Sequence, residues 1–430
     1  MKQISKKIVV AILTWEARLL LRRTRPTIVA VTGSVGKTGT KDAIYTALRH
    51  TYRVRKSEKS YNSEIGIPLT ILGLKNGWSN PFAWLRILLA GAFIASTTRS
   101  YPEIVVLEAG VDTPGDMERL TQWLRPDVVV LTRLPDVPVH VEYFSSPAAV
   151  IAEKMRLVYA LSTNGVLVYN HDDVLITEQL PTVRHTQIGY GRYSDTQYRI
   201  EKDQTVYHDD VPTGVSFTLR DAADEQTAVT VSGSIGMQNV YIYAAAIAVA
   251  GHFNIPAAEA AKHLYTHLPP PGRMRVLPGI KGSVIIDDTY NSSPVAAESA
   301  LQTLGELKYS KRKIAVLGDM LELGQYSIEQ HQRIGTIVPR VADILITIGV
   351  RSRETAMKAL EHGMSESAIL QYDDVSRAGR ELQTLLQPGD TVLVKGSQAI
   401  RAEQVVQEVM HNPEQTEELL VRQSRAWQSR

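Results

Sequence analysis

The chain has 430 residues, 44% of them hydrophobic and 21% charged, with 47 lysines and arginines against 45 acids and no cysteine. That balance excludes a disordered, collagenous or disulfide-stapled chain, and a net charge of +2 gives no global electrostatic reason to bind nucleic acid. Thiolate nucleophiles, cysteine-ligated zinc and iron–sulfur clusters are excluded with the thiols.

At about 150 residues per domain the length suggests two or three domains, with clefts between them. The first segment, 1–25, is apolar but carries Glu16 and Arg18 and ends in Arg22, Arg23 and Arg25. Its uninterrupted apolar run falls short of the ~18 residues a membrane span needs. No small-residue cleavage site follows, which argues against a signal peptide. The segment reads as a helix, either packed on the protein or lying at a membrane interface with its basic flank toward lipid headgroups. The apolar stretch 81–95, broken by Arg86, reads the same way.

From 26 to 271 short β-branched runs at 27–31, 104–107, 128–131 and 166–168 alternate with longer helical patterns, which predicts a parallel sheet covered by helices. Between 190 and 236 polar and apolar residues alternate around turn signals, the pattern of a small antiparallel β insertion. An alanine-rich helix is expected over 237–251. Pro269, Pro270, Pro271 and Gly272 then break the chain at a domain boundary. A second strand-and-helix series, 272–412, has strand runs at 284–286, 313–317, 344–348 and 391–394 and reads as a Rossmann-like α/β domain. The charged tail, 413–430, is expected to fray.

The sharpest local signal is Thr32-Gly33-Ser34-Val35-Gly36-Lys37-Thr38, followed by Gly39, between a strand and a helical pattern. Glycines let backbone N–H groups approach phosphate oxygens, and the helix N-terminus adds partial positive charge. Lys37 can reach terminal phosphates and Thr38 can hold Mg²⁺. Val31 stands where the general phosphate-loop pattern has its first glycine, so this is a shortened variant. Glu108 ends a strand at the carboxyl edge, where an α/β sheet presents its ligands. Read alone, His140 is either a loop histidine or part of an Mg²⁺ shell, and Lys154, on a helix opened by Ser146 and Pro147, is a solvated lysine. His185, His331 and the pair Asp172 and Asp173 read as ordinary structural residues.

Taken in order, several motifs together resemble the Mur ligases over about residues 26–405. The phosphate loop is followed by Asn62-Ser-Glu-Ile-Gly-Ile-Pro68, by Glu108-Ala-Gly110 with Gly115, and by His140 with Phe144 and Glu153-Lys154. Asn239, Gly272-Arg273-Met274, Asp287-Asp-Thr-Tyr-Asn291 with Pro294, Leu317-Gly-Asp-Met-Leu-Glu-Leu-Gly324 and Lys395-Gly-Ser397 continue the series. The segments around Asn62, Asp287 and Asp319 are most similar to the branch that adds D-alanyl-D-alanine to UDP-N-acetylmuramoyl-tripeptide.

The resemblance implies ATP-dependent amide synthesis through an acyl phosphate, in a phosphate-loop central domain followed by an α/β C-terminal domain. It implies catalytic roles for Lys37, Lys154, His140 and Arg273. Nucleotide contacts are implied for Gly33, Ser34, Val35, Gly36, Lys37, Thr38, Gly39, Asn239, Arg273, Asp288 and Asn291. Mg²⁺ would be held by Thr38, Glu108, His140 and a carbamylated Lys154, while Asn62 and Lys395 would meet substrate. Partners would be a muramoyl-peptide acceptor and a D-amino-acid dipeptide or other amine, in the cytoplasm.

Two departures bear on the acceptor. The phosphate loop leaves room for only one helix ahead of it, so the family's uridine-nucleotide-binding first domain is not accommodated, and Asn291-Ser-Ser-Pro294 replaces Asn-Ala-Asn-Pro. One expectation is a UDP-linked acceptor, held by the remaining domains or by a partner that supplies the first. The other is a lipid-linked acceptor, with the two apolar segments in peripheral contact with the inner face of the membrane. A non-catalytic nucleotide-binding scaffold is the reading of another class. It leaves the joint presence of Lys37, Thr38, Glu108, His140 and Lys154 without a purpose.

Overall fold

The computed structural model of the protein describes residues 3–58, 61–78, 80–193, 195–424 and 427. Two sheets organise it. The first has nine strands: β1 Thr27–Thr32, β2 Val54–Lys56, β3 Ile104–Glu108, β4 Val128–Leu131, β5 Val166–Asn170, β6 Thr186–Gly191, β7 Tyr198–His208, β8 Val211–Arg220 and β9 Gln226–Ser232. Their order is β2-β3-β1-β4-β5-β6-β7-β8-β9. Strands β1 to β6 pair in parallel, while β7, β8 and β9 form an antiparallel meander. The meander joins the same sheet through a short parallel contact at Tyr190 and Gly191, so the insertion extends the sheet instead of forming a separate one.

The β-branched runs form strands because both faces of a parallel sheet are covered. Val29, Val31, Val106 and Val130 face the helix α2, Lys37–Leu48, and the alanine-rich helix Met237–His252. Ile28, Ala30, Val105, Leu107, Val129 and Leu131 face the opposite core. That side is covered by α1, Gln3–Thr24, α3, Gly66–Leu72, and α4, Pro81–Thr97.

The second sheet has six strands, β10 Arg275–Pro278, β11 Val284–Asp288, β12 Arg312–Gly318, β13 Ile344–Ile348, β14 Ile369–Tyr372 and β15 Asp390–Lys395, in the order β10-β11-β15-β12-β13-β14. All its pairings are parallel except that of the edge strand β10. The sequence pattern misses β2, β6, β10 and β14. Three of these are sheet edges, where half-exposed strands need no continuous apolar run.

The tail also departs from expectation. Residues 413–424 fold back on the second domain instead of fraying, because Arg422 is drawn in by a buried carboxylate. Its guanidinium lies 2.7 Å from Glu403 and donates to the carbonyls of Thr289 and Tyr290. Leu420 is buried beside it.

Where α1 meets α4, Glu16 is buried against Gly91, whose missing side chain is what lets the carboxylate in: a Cβ there would stand 2.1 Å from Glu16 Oε2. That oxygen has no hydrogen-bond partner among the described residues, and burial pushes the carboxyl from 4.5 up to about 7. A folded value above the unfolded one means that stability is full below about pH 4.5 and is lost as pH rises through 7. Glu16→Gln is therefore expected to stabilise the protein by about 1–3 kcal/mol at pH 8 and to change little at pH 5, as read by urea unfolding at both values.

Candidate active site

At the carboxyl edge of β1 the chain turns on two glycines in the left-handed region, Gly33 at φ 135° and Gly36 at φ 87°. A Cβ on Gly33 would lie 2.2 Å from Thr132 Oγ1, so only glycine passes. The Thr132 hydroxyl, at the end of β4, donates to the Val35 carbonyl at 2.6 Å and clamps the loop. Gly36 opens α2, whose first N–H groups have no intrahelical acceptor and face the cleft as anion donors. Lys37, the first helical residue, donates from Nζ to the Gly33 carbonyl at 3.0 Å. Burial pushes its ammonium below the usual lysine range, with Arg273 adding to the effect and Glu108 and Asp112 opposing it.

Thr38 and Glu108 meet directly: the Thr38 hydroxyl donates to Glu108 Oε2 at 2.9 Å, both residues being buried. Strand pairing of β1 with β3 sets Val31 opposite Glu108, which brings this carboxylate beside the phosphate loop. The two oxygen groups suit Mg²⁺, a hard cation that takes few protein oxygens and completes its shell with phosphate and water. Among the described residues no three histidine, aspartate or glutamate side chains cluster as a metal site.

His140 lines the same cleft between two carboxylates. Its Nδ1 lies 2.6 Å from Glu322 Oε2 and its Nε2 lies 3.5 Å from Asp112. Glu322 follows β12 in the second sheet, so this contact crosses between domains. Glu142 N–H donates to the Glu322 carbonyl at 3.3 Å along the same seam. The imidazole holds the Glu322 carboxyl below its usual range.

Lys154 sits on the helix Pro147–Tyr159, capped by the Ser146 hydroxyl, which accepts from Ala149 N–H. It is only 3% exposed and makes no hydrogen bond or ion pair among the described residues. Burial, with Lys37 adding repulsion, pushes its ammonium down to about 7. The helix face that buries it is a packing consequence invisible to a reading of Lys154 in isolation.

From the second domain Arg273 reaches the phosphate loop, donating from Nη2 to Thr38 Oγ1 at 3.2 Å while its guanidinium lies 3.9 Å over the Tyr290 ring. Two adjacent carboxylates fix this reach. Buried Asp287 accepts from Gly272 N–H, Thr289 N–H and Thr289 Oγ1, and burial pushes it up to about 6. Asp288 accepts from Met274 N–H and pairs with Lys395 at 2.6 Å. Lys395 donates as well to the Asn291 carbonyl and is 2% exposed, on the wall of the cleft. The Asn239 amide donates to the Ile235 carbonyl at 2.7 Å, and Asn291 Oδ1 accepts from Ser292 N–H.

All the sequence-identified residues except Lys154 line one cleft of about 1930 Å³, or, like Gly33, form its loop. Asn62 is on its wall, with its side chain against Gly110. Tyr290, Glu322 and the folded tail, through Glu418, Val421 and Trp427, also line it. Asp112 escaped the sequence reading, although it lies two residues past Glu108-Ala-Gly110. Glu322 and Tyr290 lay inside recognised segments without an assigned role.

Comparison with known proteins agrees with this fold. The model of the Mur ligase middle domain matches residues 31–83 and 88–250, and that of the Mur ligase glutamate ligase domain matches 272–398. The UDP-N-acetylmuramoyl-tripeptide–D-alanyl-D-alanine ligase of Bacillus subtilis is 28% identical over 398 residues, 92% of this chain and 79% of that protein. The enzyme of the same name from Mycobacterium leprae is 28% identical over 87% of this chain and 71% of its own. The crystal structure of MurF ligase from Thermotoga maritima in complex with ADP superposes with a TM-score of 0.75 at 26% identity, covering 93% of this chain and 83% of that one. With both domain models matched over most of its length, the chain belongs to the Mur ligase family of ATP-dependent ligases.

Proposed function

We propose that the protein joins D-alanyl-D-alanine to the terminal carboxylate of a muramoyl tripeptide, at the expense of ATP, in the cytoplasm. The observation that carries this reading is the Arg273 contact with Thr38, which puts a cation of the second domain on the phosphate loop of the first. The Bacillus and Mycobacterium relatives, named for this reaction, support the choice of substrates.

In this scheme a carboxylate oxygen of the acceptor attacks the γ-phosphorus and ADP departs. The amine nitrogen then attacks the acyl carbon, phosphate leaves, and the nitrogen gives its proton to solvent or a base. Bringing a carboxylate against a triphosphate is opposed by charge repulsion, so catalysis needs fixed cations at the transfer point. Lys37 and Arg273 supply two, and the α2 N-terminus supplies backbone donors. Thr38 and Glu108 would hold Mg²⁺, which neutralises the phosphate oxygens when bound. Lys154, neutral in part near pH 7 and without a partner among the described residues, is suited to add CO₂ and release a proton, giving a carbamate that would serve as a further oxygen ligand for Mg²⁺. His140 serves the seam with Glu322, and Asp288 and Lys395 position Arg273.

Lys37→Ala is expected to cut Mg-ATP-dependent phosphate release by about 10²-fold or more, with the thermal midpoint little changed. The assay uses UDP-N-acetylmuramoyl-tripeptide and D-alanyl-D-alanine, with the product identified by mass; absence of the ligated mass from the wild-type enzyme would refute the substrate assignment. Lys154→Ala should cripple turnover and recover partly with added short carboxylates. ¹³C-bicarbonate should give a carbamate signal that grows as pH rises through 7, because only the neutral amine reacts. An unaffected variant would refute the carbamate. Lys395→Met should cost about 3–5 kcal/mol in urea unfolding, since it leaves buried Asp288 unpaired. Raised KM at unchanged stability would instead place Lys395 on substrate.

A further inference from the structure

Away from the cleft, α1 and α4 lie against each other on one side of the first sheet. Arg23 donates to the Ala95 carbonyl, and Gly91 packs on Glu16. The face of α4 that this contact leaves free carries Phe82, Leu85, Leu89 and Phe93 at helical spacing, exposed by 82%, 58%, 65% and 68%. Ile8 and Trp15 stand exposed on α1. Single exposed apolar residues are ordinary, but a continuous stripe of this kind marks a contact surface.

The charge around the stripe identifies what it meets. Segments 3–25 and 75–100 hold nine lysines and arginines and a single acid, Glu16, which is buried. Since the whole chain is only +2, the rest of the protein is net acidic; Lys6 on α1 pairs with Glu64, and the remaining basic residues outnumber the acids on these two segments. Lys7, Arg18, Arg22, Arg86 and Arg99 are exposed and make no ion pair among the described residues. No helix among the described residues is long and apolar enough to cross a membrane. A second copy would set one arginine-rich rim against another, which like-charge repulsion opposes.

We propose that this face docks the protein on an anionic lipid surface. The apolar side chains of α4 enter the boundary between headgroups and acyl chains, and the arginines meet headgroup phosphates. The inference rests on the outer helices alone and stands apart from the assignment of the reaction.

The test is flotation of the full chain with phosphatidylglycerol vesicles and with phosphatidylcholine vesicles. Binding to the anionic vesicles is expected to be at least about tenfold tighter and to weaken with salt. Leu89→Asp with Phe93→Asp should weaken it about tenfold or more, and Arg18→Glu with Arg22→Glu should remove the preference for anionic lipid. Unchanged thermal midpoints and phosphate release in solution would show that both variants fold. The exposed arginine pair keeps the test open if the α4 variant does not fold. Absence of binding to phosphatidylglycerol would overturn the proposal, as would equal binding by the folded variants. A dimer without lipid binding, dissolved by Leu89→Asp, would assign the face to a second copy and also overturn it.

Discussion

The Thr38 hydroxyl is the point on which the arrangement of the cleft turns. It donates to Glu108 of the same domain and accepts from Arg273 of the other, so one oxygen links a buried carboxylate to a guanidinium across the cleft. The β1 to β3 register supplies the first partner. The second depends on the junction at Gly272, where a left-handed φ of 68° turns the chain toward the cleft. A displaced junction would leave the phosphate loop intact and remove one of its cations.

That junction is held by carboxylates whose burial is opposed by desolvation. Among the described residues Asp287 has no ion pair and is pushed up to about 6 despite three hydrogen bonds, whereas Asp288 is compensated by Lys395. The pair therefore works as a buried polar network: Asp287 fixes Gly272 and Thr289, Asp288 fixes Met274, and Arg273 lies between these anchors. Apolar residues in their place would relieve desolvation but would not fix the backbone N–H groups in direction. The tail reinforces the same loop, because Arg422 bonds the carbonyls of Thr289 and Tyr290, and Tyr290 carries the Arg273 guanidinium.

The sheets were legible because their buried strands have no polar alternative. Val128 to Leu131 and Ile344 to Ile348 coincide with β4 and β13, since both faces of each are covered. The phosphate loop was equally plain, as its glycines answer to backbone conformations a side chain would forbid. Edge strands such as β14, and the seam between His140 and Glu322, were not. Pairing across that seam depends on how two domains face each other, which no local pattern encodes. The tail was misread for the same reason: its charge suggested solvent, but Arg422 finds Glu403 only after the second domain has folded.

The buried lysines show most clearly where sequence stops and packing begins. Lys41, Lys154 and Lys395 are all at most 3% exposed, and nothing in their local sequence sets them apart. Lys41 donates to the Ser57 carbonyl and lies 3.4 Å from Asp42, and Lys395 is tied to Asp288, so both keep partners that compensate a charged form. Lys154 has no such partner among the described residues: burial first, and then repulsion from Lys37, push its ammonium down to about 7 against the opposing charge of Asp112. Burial with a carboxylate makes a lysine a strut; burial beside another cation leaves a neutral amine with chemistry still available. The difference arises from which side chains packing brings together: Lys41 and Lys154 are buried on helices, and Lys395 ends a strand on the wall of the cleft.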